Sequence, residues 1–130
     1  MQSMKKLKFE SIEPSSREEI ESAISRGDPG ELLYAVLSAA LYSDDAGWAE
    51  DVCVRLSHHE HFNVRGNAIL GFGHIARIHG KLTQRKVMPL IESALKDEND
   101  YVRGHANSAA DDVEWFLKWR ITKTKVRRSR

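Results

Sequence analysis

Two short stretches decide how this chain folds. Val64-Arg65-Gly66-Asn67-Ala68 and Val102-Arg103-Gly104-His105-Ala106 share one pattern at an offset of 38 residues. In each, the valine and the alanine four places on fall on one helical face. Each copy follows a helical period ending in leucine, Leu56 or Leu95, and a short polar or acidic loop. A unit recurring at such an interval is one that stacks on its own kind, because a single hairpin cannot bury its apolar face alone.

Working outward, the same logic predicts six helices and no core strand. Ser15 and Ser16, each with a Glu three places on, form overlapping capping boxes before a short helix through Ile20, Ala23 and Ile24 that ends near Gly27. Asp28-Pro29-Gly30-Glu31 starts the next helix, over about 29–42, where Leu33, Val36, Leu37, Ala40 and Leu41 repeat at helical spacing. Asp44-Asp45 caps a third helix marked by Trp48, Val52 and Leu56. A fourth is expected over about 63–79, ended by Gly80 as a left-handed cap. Thr83 is expected to cap a fifth over about 84–96, which Pro89 should kink or confine to its later part. The last runs over about 100–119, with a core line of Val102, Ala106, Ala109, Val113 and Phe116.

Leu95-Lys96-Asp97 followed by Tyr101-Val102-Arg103 closely resembles the HEAT-repeat signature, in which a loop aspartate precedes a Val-Arg pair opening the second helix of each hairpin. The copy at 57–65 departs from it. Its loop, Ser57-His58-His59-Glu60-His61, has no aspartate and is one residue longer. Residues 16–42 read as a degenerate first hairpin. The resemblance implies an all-α fold, a short right-handed HEAT-like α-solenoid of about three hairpins, with an irregular six-helix bundle as the alternative. It further implies that Arg65 and Arg103 bond loop carboxylates across the stack and that second helices line a concave face. Gly66, Gly71 and Gly73 independently support close packing, since glycine inside a helix costs about 1 kcal/mol relative to alanine and needs compensation from a near approach.

Composition bounds the rest. The 130 residues, 41% hydrophobic and 30% charged, suit one globular domain. We divide them into an N-terminal arm (1–14) anchored by Leu7, Phe9 and Ile12, a helical domain (15–119) and a basic tail (120–130). One cysteine, Cys53, excludes an internal disulfide and multi-cysteine zinc modules. No stretch reads as a signal peptide or a membrane span, so a reducing cytoplasmic location is the expectation. Net charge is +1, yet residues 1–117 hold thirteen bases against nineteen acids, a net of −6, and seven bases follow without an acid. The stretch 121–126 alternates in a way that suits a short strand.

The chemical motifs weaken on inspection. Gly71-Phe72-Gly73-His74-Ile75-Ala76 matches a dinucleotide pattern formally, but lies inside a helix with no strand before it. His58, His59 and His61 lack a metal framework. Asp111 and Asp112 are adjacent on one helix, so their side chains diverge by about 100° and cannot act as an acid–base pair. His74 and Asp112, equivalent by the repeat, would meet on one face, but no nucleophile joins them. We therefore expect no enzyme activity, cofactor or metal. The candidate site is a binding surface: Asn67, His74, His105 and Asp112 with Gly71 and Ala109 keeping the patch open, and Asp111, Trp115 and Trp119 along the last helix. The tryptophans are either exposed anchors or capped by a terminal segment. The expected function is protein–protein interaction through the second-helix face. The pattern is similar to small bacterial HEAT-like proteins, some of which are immunity proteins neutralising polymorphic toxins, so a basic toxin domain is the expected partner. The alternative is a HEAT-like nucleic-acid binder using the basic tail.

Overall fold

The computed structural model describes residues 12–122, which hold six α-helices and no strand. They are α1 (Arg17–Arg26), α2 (Pro29–Tyr42), α3 (Ala46–Leu56), α4 (Phe62–His79), α5 (Gln84–Ala94) and α6 (Asp100–Leu117). The expected anchors Leu7 and Phe9, and the tail from residue 123, lie outside the described residues.

Local chemistry starts and stops each helix. Ser16 accepts from the Glu19 N–H while the Glu19 carboxylate accepts from the Ser16 N–H, a complete capping box. Asp28 and Asp45 accept from the third helical N–H of α2 and α3. Gly27 and Gly80 close α1 and α4 at positive φ, 75° and 70°, a conformation that costs glycine little. Lys118 takes the same left-handed turn at φ 63° and stops α6 two residues before the expected end. The Thr83 side chain does not cap α5. Instead the carboxylate of buried Glu50, from α3, accepts from the Thr83 N–H at 2.7 Å. Pro89 does not delay the helix, which begins at Gln84 and runs through it.

Helix α4 is central, packing on α2, α3, α5 and most extensively on α6, while α1 lies on α2 and α5 on α6. Val64, Ala68, Phe72, Ile75, Val102, Ala106, Ala109 and Val113 are all buried. Phe116 leaves the expected core line and is 41% exposed; Ala110 and the half-buried Leu117 turn inward instead. The glycines of α4 mark the close approaches. A Cβ on Gly66 would meet the Tyr101 ring at 3.2 Å, and one on Gly73 the Asp112 carboxylate at 2.6 Å and the Ala109 backbone at 3.3 Å. On Gly71 it would meet Cys53 Sγ at 2.6 Å and Ala40 at 3.3 Å. Gly71 thus faces the core rather than the polar patch.

The two loops before α4 and α6 do the same work with different residues. Asp97 accepts from the Asn99 N–H, and Asn99 caps α6 by accepting from the Tyr101 and Val102 N–H groups. Thirty-eight residues earlier, His59 Nδ1 accepts from the His61 N–H, and His61 Nδ1 caps α4 by accepting from the Asn63 N–H. Two of the loop histidines are therefore structural acceptors. Arg65 donates to the carbonyls of His59 and Glu60, as Arg103 donates to that of Asp97. Arg65 also forks onto both Asp97 oxygens at 2.9 Å, joining one loop to the next. That contact, then the Asn99 N–H, holds the Asp97 carboxyl below its usual range against the opposing effect of burial. At the other end Glu21 accepts from Arg55 and from Trp48 Nε1, which holds its carboxyl down to about 2 and ties α1 to α3. Ser38, buried on α2, bonds the backbone of Glu13 and Ser15. Ile121 is buried, with its N–H on Glu114, and the Thr122 N–H reaches Glu92.

Five variants test this account. Gly71→Ala should destabilise, because overpacking of about 1–3 kcal/mol outweighs the roughly 1 kcal/mol of helix propensity gained. Gly104→Ala, with nothing within 4 Å of its Cβ, should stabilise by up to about 1 kcal/mol. Urea midpoints should move in opposite directions. Asp97→Ala should cost about 1.5–3 kcal/mol at neutral pH, the range for hydrogen bonds to charged groups. Because the folded carboxyl titrates below its ordinary value near 4, that contribution is complete above about pH 4. It is lost as pH falls through the folded value, so the gap in urea midpoint between Asp97→Ala and wild type should narrow in acid. Finally, His59→Asp with His61→Asn installs the acceptors of the following loop and should retain stability. His61→Ala alone should lose about 0.5–2 kcal/mol and speed amide exchange in the first turn of α4.

Candidate functional site

The second helices α4 and α6 lie side by side because Gly73 lets Ala109 and Asp112 of α6 approach the α4 backbone. This contact brings most of the expected residues onto one face, but not in equivalent roles. Asn67 is buried. Its amide donates to the Asn63 carbonyl at 2.8 Å, to Asn63 Oδ1 at 3.2 Å and to the Tyr101 hydroxyl at 2.9 Å. It therefore supports the face from below. Tyr101 covers Gly66 and lies against the His105 ring, centroids 4.2 Å apart, while Phe62 meets Tyr101 edge-on at 5.4 Å and stacks on His61. An aromatic ladder, His61-Phe62-Tyr101-His105, thus crosses the N-terminal ends of both helices. Sequence reasoning passed over Phe62 and Tyr101. The available signal was an aromatic one or two residues before each Val-Arg pair.

The middle of the face is polar and partly desolvated. Burial pulls the His74 imidazole down to about 4, with Arg77 and His105 adding to the shift, so it is neutral at physiological pH. Its Nδ1 lies 2.9 Å from an Arg77 guanidinium nitrogen, so Arg77 is its partner, in place of the expected Asp112. Burial also lowers His105. Burial and the adjacent Asp111 raise the Asp112 carboxyl, while Arg77 opposes them. A carboxylate held above its ordinary range is one that a further cation would stabilise.

Asp111 is exposed at the far end of α6, and Trp115 is 71% exposed with the Lys118 ammonium 5.5 Å from its ring centroid. Trp119 separates from it, half-buried against the core. Cys53 is fully buried and its thiol is pushed well up by burial and by Glu50, leaving it protonated and unreactive. The glycine-rich run lies wholly inside α4. Among the described residues no group of three His, Cys, Asp or Glu side chains converges as a metal site, and no helix is long and apolar enough to cross a membrane.

No protein-family model matches the chain, and no curated protein sequence matches it. Its structure is similar to a chain in the crystal structure of a CDI complex from Cupriavidus taiwanensis LMG 19424, with a TM-score of 0.69. The two are 26% identical over a match covering 79% of this chain and 91% of that one.

Proposed function

We propose that this chain is a bacterial, cytoplasmic immunity protein that neutralises a toxin domain by binding it, without catalysis. The observation that carries this reading is the likeness to a chain of a CDI complex across nearly the whole of that chain. Contact-dependent inhibition pairs a toxin with an immunity protein. The helix order and the shared loop chemistry support a short HEAT-like stack of three hairpins, with α2, α4 and α6 as its binding layer. The acidic body, net −6 over residues 1–117, suits a basic toxin domain, which its field would steer into contact. The contact centres on His74, His105, Asp111, Asp112 and Trp115, with Asn67 and Trp119 beneath them. A non-catalytic role agrees with a thiol locked in the core and a histidine engaged by arginine.

The test is co-expression with a candidate toxin domain drawn from the genes neighbouring this one, which should restore growth. By calorimetry, Asp112→Ala and Trp115→Ala should each weaken binding at least tenfold with unchanged urea midpoints, because an exposed aromatic and a desolvated acid are typical anchors. Truncation should begin after Thr122, since Ile121 is part of the core, and loss of residues 123–130 should matter little. Absence of protection, or unchanged affinity in both point variants, overturns the reading or its site. Loss of binding on tail truncation alone, with DNA competing, favours a nucleic-acid binder.

A further inference from the structure

Between α2 and α4 runs a groove of about 500 Å³, lined by Ile12, Leu33, Tyr34 and Leu37, with Asp28 and Glu31 at one end and Asn63 as its wall on α4. The repeat explains why it is there. Asn63 stands 38 residues before Tyr101, and Tyr101 fills the matching space between α4 and α6 by covering Gly66. The small Asn63 side chain turns instead toward Asn67, where its oxygen accepts an amide hydrogen. What one interface closes with a tyrosine ring the other leaves open among the described residues.

The groove continues the candidate site. Asn63 borders it, Asn67 bonds both Asn63 and Tyr101, and Tyr101 leads through His105 to His74. Its centre is apolar and its charged lining is acidic, Glu31 being shared with Arg26 at 2.8 Å. We propose that this groove is a second subsite for the toxin domain, receiving one aromatic or large aliphatic side chain flanked by a basic residue. The anchor takes the position that Tyr101 holds between α4 and α6, stacking on exposed Tyr34, and the base meets Asp28 and Glu31. The volume suits such an anchor, since ligand pockets begin at about 300 Å³. The cation completes what the acidic end supplies.

The proposal rests on the immunity reading, and its test separates the two. Binding of the neighbouring toxin domain is measured by calorimetry and stopped flow. Asn63→Tyr fills the groove from within, and Tyr34→Ala removes its aromatic wall. Each should weaken binding at least tenfold with an unchanged urea midpoint. Asp28→Asn with Glu31→Gln keeps the α2 cap, because asparagine caps as well as aspartate, and should slow association and flatten its salt dependence. Full affinity in Asn63→Tyr and Tyr34→Ala, with Asp112→Ala still impaired, overturns the groove and leaves the function standing. A urea midpoint lowered by deleting residues 1–11, with toxin affinity unchanged by that deletion and by Asn63→Tyr, overturns it too, assigning the groove to the chain's own Leu7 and Phe9. A toxin domain that does not bind the wild-type chain ends both.

Discussion

Helix α4 is approached by α2, α3 and α6, and glycines of α4 stand where each of them comes close. Gly66 lies under the Tyr101 ring, Gly71 against Cys53 and Ala40, and Gly73 against Ala109 and Asp112. Each glycine gives up about 1 kcal/mol of helix propensity. In return backbones come close enough for α2, α3 and α6 to share one helix as their core. The site inherits this constraint. Asp112 is partly desolvated because Gly73 admits it, and an edge of the Tyr101 ring reaches the α4 backbone because Gly66 has no side chain to hold it off.

The loops show how one geometry tolerates two chemistries. A turn before α4 or α6 needs an acceptor for an early N–H and a second acceptor to cap the helix. Carboxylate and amide oxygens do this at Asp97 and Asn99, and imidazole Nδ1 atoms do it at His59 and His61. The charge differs, and so does the reach. Asp97 also receives both arms of Arg65, which the single Nδ1 acceptor of an imidazole could not, whereas the position 38 residues before Arg65 is Gly27, with no guanidinium to reach the histidine loop. Gly104, the counterpart of Gly66, meets nothing within 4 Å among the described residues.

Electrostatically the second-helix face is uneven. Its N-terminal end is aromatic over a buried amide, its middle holds a neutral histidine with an arginine, and its far end is acidic with an exposed tryptophan. Such a surface has an aromatic cluster at one end, an exposed tryptophan at the other and a polar middle already satisfied internally. Adaptable charge is concentrated where Asp111 and Asp112 meet solvent.

The helices, the caps at Ser16, Gly27, Asp28, Asp45 and Gly80, and the buried line through Val64, Ala68, Phe72, Val102 and Val113 were legible in the sequence, because apolar period and cap chemistry are local and act before any packing. The caps at His61 and Asn99, and the Glu50 contact that replaces the expected Thr83 cap, were not. The glycines announced close approach, and the resemblance to HEAT repeats implied the Arg65 contact with a loop carboxylate, whereas Arg103 meets the Asp97 carbonyl and Asp100 of its own helix. What touches what across the helices was not legible. Sequence placed Asn67 on a binding face, Phe116 in the core and Gly71 in an open patch. Each assignment was within reach of the helical period and off by the small rotation that neighbouring side chains impose. His74 and Arg77, three residues apart on α4, pair locally, whereas tertiary packing decided that Asn67 would be spent on Tyr101 and that Asn63 would leave, among the described residues, a groove where Tyr101 closes one. These outcomes depend on distances of a few tenths of an ångström between helices, and no single strand of sequence carries that information.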